Sequence, residues 1–188
     1  REACQLFIDN DIKTIAVSFV WSVLNPSHEL RAAQIVREMM PKAIITIGSE
    51  LYPQIREYTR TSTAITNAYL SPILRNYVSA INEYFINLGG KNNVRYFQSN
   101  GGLATGKIMS ERSVYAINSG PASAPQAGLS VCNPFDYKNI ITVDMGGTSF
   151  DITLTKDGNT NLNKNIDFLR YRIGIPMIQV ETLGAGGG

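Results

Sequence analysis

"ITVDMGGTSFDITL", Ile141–Leu154, sets two apolar runs around a glycine pair, with one aspartate just before the glycines and another just after. Both runs read as strands, and the glycines between them mark a turn. A hairpin can use such glycines for geometry alone. A phosphate-binding loop uses them otherwise: without a Cβ the turn comes close to a phosphate, and successive amides point inward as an anion nest. Thr148 adds a hydroxyl donor. Asp144 and Asp151 would repel a phosphate unless a cation lay between, so the two carboxylates imply Mg2+, held through its waters. The other reading is a bare hairpin with aspartates capping its turn. Both aspartates and the threonine in one loop favour phosphate.

Three further glycine-bearing stretches frame this one. "GAGGG", Gly184–Gly188, has too many glycines for a strand or helix interior, so it serves either close backbone approach beside the first loop or a frayed end. "QSNGGL", Gln98–Leu103, follows a strand expected to be parallel. Ser99, Asn100, Gly101 and Gly102 are then either a cleft wall at a strand's carboxyl end or an Asn-Gly turn chosen for its geometry. "NSGPA", Asn118–Ala122, reads as a connecting turn, with a hinge or another cleft loop as the alternatives.

The rest of the chain predicts mixed α/β structure. "DIKTIAVSFVW" (Asp11–Trp21) and "KAIITIG" (Lys42–Gly48) read as buried strands on either side of a helix, a βαβ pattern that builds parallel sheets. Ser27 is placed as that helix's cap, and Ala32, Ile35, Val36 and Met39 form its apolar face. Ser62–Gly90 is a long helical region, kinked or divided at Pro72, with an apolar stripe through Leu74, Val78, Ile81, Phe85 and Leu88. Val94–Gln98 is a third strand. "SVYAINSGPASAPQAGL" predicts a short strand, a tight turn at Ser119–Pro121 and a small-residue helix. From Asn139 the texture changes to short strands and turns, with a hairpin at Asp157-Gly158. The division falls at "INSGPA": residues 1–117 as the end of one α/β domain, 118–188 as the start of a second.

Composition bounds the partners. The 188 residues are 44% hydrophobic and 17% charged, with a net charge of +2, values of a folded protein rather than a nucleic-acid or membrane-surface binder. No stretch approaches the apolar length of a membrane span, and the expected location is cytoplasmic. Cys4, Cys132 and the lone His28 cannot form a zinc site, and neither a disulfide nor a reactive thiolate is expected. His28 reads as a cap or surface contact, and Arg56, Glu57 and Arg60 as a solvated helix face with ion pairs. The start without Met and the stop inside a glycine motif read as a fragment of a larger protein.

Taken together, "NPSHE", "REYTRTSTAITNAYLSPIL", "QSNGGL", "SGPA", "VDMGGTSFD" and "GAGGG" stand in the order found in the hydantoinase A / oxoprolinase family, which the chain resembles over nearly its whole length. The resemblance implies a ribonuclease H-like fold, similar to actin, sugar kinases and heat-shock chaperone ATPases, in which two such domains close on ATP. It implies that Asp144 and Asp151 act catalytically and hold Mg2+ through water. It also implies that Gly146, Gly147, Thr148, Ser149, Gly184, Gly186 and Gly187 bind the nucleotide. The implied activity is ATP-driven opening of a cyclic amide such as a hydantoin or 5-oxoproline, with a hydantoinase B-type partner subunit or domain. The alternatives are an ATP-binding subunit of an acetone- or acetophenone-type carboxylase, a kinase-like phosphotransferase, or a nucleotide-binding interaction module without turnover. Phe150 departs from the family's small hydroxyl residue, and "ITIGSELYP" is a loose version of its segment. The family's first phosphate loop lies outside these residues, so the isolated fragment is expected to hydrolyse ATP weakly or not at all.

Overall fold

The structure, a computed structural model, describes residues 1–91, 94–168 and 170–187. In chain order it has α1 (Glu2–Asp9), β1 (Thr14–Val17), α2 (Ser27–Met39), β2 (Ile44–Ile47), α3 (Gly48–Leu51), α4 (Glu57–Asn87), β3 (Arg95–Phe97), β4 (Leu103–Thr105) and α5 (Gly106–Glu111). After a 3-10 turn at Ser113–Ala116 come α6 (Ser119–Cys132), a second 3-10 turn, then β5 (Ile140–Met145), β6 (Phe150–Lys156), β7 (Asn159–Thr160) and β8 (Leu162–Asn163). The last strands are β9 (Ile166–Phe168), β10 (Tyr171–Ile173), β11 (Met177–Ile178) and β12 (Glu181–Leu183). The chain divides into two compact units. One comprises Arg1–Val94, Gly106–Val114 and Ile166–Gly174; the other comprises Arg95–Thr105, Tyr115–Asn165 and Ile175–Gly188. Among the described residues no helix is long and apolar enough to cross a membrane.

The first unit contains the expected βαβ. β1 and β2 pair in parallel from Thr14 opposite Ile44 to Val17 opposite Ile47, with α2 as the crossover. Its core joins Cys4, Ile15, Val17 and Val36, with Ala32, Ile35 and Met39 packed against them, the face read from the helical spacing. Two details differ. Residues 2–9, unassigned in the sequence, form α1, whose Cys4 and Phe7 enter the core. Ser27 is not the cap: the helix starts at Ser27, whose amide donates to Asn25 Oδ1 at 3.1 Å.

The long helical region is one helix, α4, running through Pro72 and starting at Glu57. Its buried face is polar: Thr59, Thr63, Asn67 and Ser71 recur at four-residue spacing, and the side chains of Thr63, Asn67 and Ser71 each find a partner. Thr63 Oγ1 donates to Thr59 O at 2.6 Å and accepts from Gly174 N at 2.8 Å. The stripe expected beyond Pro72 is only begun: Val78 is buried, whereas Phe85 and Leu88 are 43% and 67% exposed.

In the second unit the expected parallel strand at 94–98 is corrected. β3 forms an antiparallel hairpin with β4, because Asn100-Gly101 turns the chain straight back, with Gly101 at φ +80°. The expected short strand at 113–116 is a 3-10 turn, and the expected tight turn at Ser119–Pro121 is the first turn of α6, entered through Asn118 at φ 52°. Beyond Asn139 the chain forms short strands and turns, its last stretch divided between β11, paired with β8, and β12, paired with β6. An antiparallel sheet runs in the order β12-β6-β5, with β7 paired to β6. Asp157 and Gly158, at φ 50° and 75°, make the β6–β7 turn, the doubly left-handed geometry of a two-residue hairpin. The small residues of α6 allow it close to this sheet: a Cβ at Gly128 would stand 2.9 Å from Thr142 Oγ1.

Candidate functional site

Residues 146–149 join β5 to β6, and strand pairing brings the two aspartates on either side of them together. Asp144 stands directly opposite Asp151 in the antiparallel register, followed by Met145 opposite Phe150. Residues directly opposite in such a pair project to the same face. β12 extends the row, placing Thr182 opposite Asp151. Two carboxylates and a hydroxyl therefore stand side by side across three strands. Thr182 Oγ1 donates to Asp151 Oδ1 at 2.6 Å, and Ser149 Oγ reaches Asp151 Oδ2 at 3.4 Å.

The turn itself is closed by Gly146 N donating to Ser149 O at 2.9 Å. Neither Gly146 nor Gly147 has the positive φ that would demand glycine, in contrast to Gly158 in the next hairpin of the same sheet. A Cβ at Gly147 would meet nothing within 4 Å, and one at Gly146 only Ser149 O at 3.8 Å. Gly146, Gly147 and Thr148 are exposed. The hairpin geometry does not explain the glycine pair; the open space above it is what a side chain would occupy.

The second glycine run packs on this loop. Gly187 N donates to Gly146 O at 3.1 Å, and a Cβ on Gly186 would collide with the Gly147 carbonyl group and Thr148 N. Only glycine allows that approach. Gly184 lies just past β12 with open space around it, and Gly188 falls outside the described residues. The structure thus gathers Asp144, Gly146, Gly147, Thr148, Ser149, Asp151, Gly186 and Gly187 into one region. Thr182 was not singled out in the sequence; its signal was a hydroxyl in the strand that leads into the glycine run.

Among the described residues no group of three His, Cys, Asp or Glu could cage a metal. Two carboxylates on one face suit a small hard cation that keeps most of its waters and shares a phosphate, and Asp151 is already oriented by two hydroxyls.

In "NPSHE", Glu29 is fully buried: Oε1 accepts from Phe19 N at 2.7 Å and Oε2 from Ser49 N at 2.9 Å, tying the loop that leaves β1 to the start of α3. Burial alone would raise its pKa, but hydrogen bonds from Ser22, Ser49 and Phe19 outweigh it and hold the carboxyl below its ordinary value. Arg60, expected on a solvated face, is instead fully buried, because its Nη2 donates to Phe19 O at 2.7 Å and its Nη1 to Gln54 O at 2.9 Å. Glu29 and Arg60 grip the backbone of one residue from both sides. His28 is exposed. In "QSNGGL", Gly102 N donates to Asn100 Oδ1 and Gly101 N to Gln98 O, each at 2.9 Å, so Asn100, Gly101 and Gly102 make their own turn, whereas Ser99 is buried, with its amide on Tyr115 O and its hydroxyl without a hydrogen-bond partner among the described residues. Both cysteines are free.

A family model described as hydantoinase/oxoprolinase matches residues 60–188, and one for the hydantoinase/oxoprolinase N-terminal region matches residues 1–40. Caprolactamase subunit alpha of Pseudomonas jessenii is 62% identical over 186 residues, covering 99% of this chain and 27% of the relative. The crystal structure of ATP-dependent caprolactamase from that organism superposes with a TM-score of 0.89 over 100% of this chain and 27% of that one. A nucleotide-free structure of acetone carboxylase gives a TM-score of 0.85 at 29% identity, again over 100% of this chain and 27% of that one. The 5-oxoprolinase of Saccharomyces cerevisiae is 30% identical over 190 residues, covering 100% of this chain and 14% of the relative. The chain spans 27% or less of the length of these relatives.

Proposed function

The chain belongs to the hydantoinase/oxoprolinase family, and we propose that it is part of an ATP-dependent cyclic-amide hydrolase whose phosphate loop is residues 144–151. The observation that carries the phosphate reading is the glycine pair at 146–147, which no backbone strain and no neighbouring atom requires. Support for the cyclic amide comes from identity: 62% to a caprolactamase subunit, against 29% to the acetone carboxylase structure.

In this reading the Gly147 amide and the Thr148 hydroxyl hold phosphate oxygens, Gly146 N keeps the turn closed on Ser149 O, and Ser149 steadies Asp151. Asp144 and Asp151 would hold Mg2+ through its waters, and the ion would supply neutralisation of the phosphate charge. Gly184, Gly186 and Gly187 form the second wall, with Gly187 fixed to Gly146. The amide oxygen of the ring takes the γ-phosphoryl group of ATP, with release of ADP, and the ring carbon becomes electrophilic. Water adds there, the ring nitrogen leaves with a proton, and a second water hydrolyses the resulting acyl phosphate to the carboxylate and phosphate. The chain's own contribution is to orient and neutralise the phosphates and to exclude bulk water.

Residues 1–117 are assigned to the end of one ribonuclease H-like domain and 118–188 to the start of a second, in a cytoplasmic protein with a hydantoinase B-type partner. The test is phosphate release by the full-length protein with its partner, measured with and without lactams of increasing ring size. Phosphate release that rises with a lactam, with the ring-opened amino acid in equal amount, supports the reading. Release indifferent to every lactam contradicts it.

A further inference from the structure

A polar cavity of about 330 Å3 opens beside β2 in the first unit, within the range of small-molecule sites. Three arginines line it from three different elements: Arg37 from α2, Arg75 from α4 and Arg112 from the end of α5. Glu50 and Glu111 line it too. Among the described residues none of the three arginines makes an ion pair within 4.0 Å. Gathering three guanidinium groups costs mutual repulsion that spreading them over the surface would avoid.

The backbone adds donors. Ile44 N donates to Lys13 O, so in the parallel ladder the amides of Ile45 and Ile47 point away from β1, toward the edge against which no other strand is paired among the described residues. Both residues line the cavity. The wall is also preformed. Asn67, buried on α4, donates to Thr46 Oγ1 at 3.0 Å and to Glu111 O at 3.1 Å, and accepts from Val114 N at 3.0 Å. One side chain thereby fixes the segment carrying Glu111 and Arg112 to β2.

Free cationic donors in excess, with two carboxylates at the same cavity, fit a ligand that carries both charges. From this arrangement we infer that the cavity binds a small amino acid as a zwitterion, its carboxylate on the arginines and edge amides and its ammonium on Glu50 or Glu111. Opening a cyclic amide yields a molecule of this class, so the site serves as a product or effector site; that role, though not the binding, rests on the ring-opening reading.

The test is calorimetric titration of the full-length protein, without ATP, using 6-aminohexanoate, hexanoate and hexylamine as probes. The inference predicts binding of 6-aminohexanoate, with hexanoate and hexylamine each much weaker. Arg75→Gln and, separately, Arg112→Gln should each weaken it by about tenfold or more, the loss of one charge-assisted contact. These exposed side chains can be changed without opening the core, and an unchanged melting temperature confirms that the fold is intact. No binding of 6-aminohexanoate, equal binding of hexanoate, or unaltered affinity in both variants overturns the inference. Binding by a protein that shows no lactam-dependent ATP hydrolysis would sink the ring-opening reading and leave the site standing.

Discussion

Thr182 Oγ1 donates a 2.6 Å hydrogen bond to Asp151 Oδ1, from directly opposite it on the neighbouring strand β12. One lone-pair direction of the carboxylate is thus fixed by a residue 31 positions away in the chain. Thr182→Val keeps the shape and removes the donor. At this partly exposed site the loss in stability should be no more than about 1 kcal/mol. Affinity for ATP measured with Mg2+ should fall several-fold, while affinity measured in excess EDTA should match the unaltered protein. Equal affinities in both conditions would make the hydrogen bond purely structural.

The two hairpins of this sheet offer an internal comparison. Gly158 sits at φ +75°, whereas Gly147 has no such need and a Cβ there would meet nothing within 4 Å. Gly158→Ala should cost about 1 kcal/mol by thermal denaturation and leave ATP binding alone. Gly147→Ala should do the reverse: stability within about 0.5 kcal/mol, but nucleotide affinity reduced at least severalfold. A destabilised Gly147→Ala with normal affinity would return the loop to an ordinary hairpin.

Gly186 and Gly184 can be compared in the same way. A methyl group at 186 would run into the Gly147 carbonyl, and one at 184 meets nothing within 4 Å. Gly186→Ala should therefore displace the glycine run from the loop and weaken ATP binding, and Gly184→Ala should weaken it much less. Titration of both variants with Mg-ATP checks the order.

Glu29 gives a pH dependence. Its carboxyl is held below the ordinary value of 4.5, so it binds fewer protons folded than unfolded. The stability it contributes is complete above about pH 4.5 and is lost as the pH falls through its lowered folded value. Glu29→Gln should lose about 1–3 kcal/mol at neutral pH, since one of the two oxygens that accept from buried amides becomes an NH2 donor facing an N–H. The difference between the two proteins should shrink in melts run progressively below pH 4.5. A constant difference across that range would mean that Glu29 is not the titrating group.

The period of the apolar residues made the β1-α2-β2 unit legible, and Asp157-Gly158 announced its hairpin, because both are local signals. What escaped is tertiary. Arg60 looks like a surface residue among hydroxyls, and its burial depends on the Phe19 and Gln54 carbonyls that the fold brings to it. Asn100-Gly101 was visible as a turn, but whether β3 ran parallel or antiparallel to its neighbour depended on where the chain went next. Phe85 and Leu88 follow a regular apolar spacing and remain exposed, so spacing alone did not say what covers them. In the candidate site, the aspartates and glycines of 144–151 were legible as a motif. Thr182, and the docking of Gly186 and Gly187, needed strand register, which no local pattern encodes.

The most direct measurement is calorimetric titration of the full-length protein with Mg-ATP, repeated after Asp144→Ala. Asp144 is exposed on the rim of the sheet, so the substitution leaves the core untouched. If residues 144–151 hold the phosphates with a cation between them, binding is measurable in the unaltered protein and lost in the variant. Equal affinity in the two would contradict the phosphate loop and leave "VDMGGTSFD" a structural hairpin.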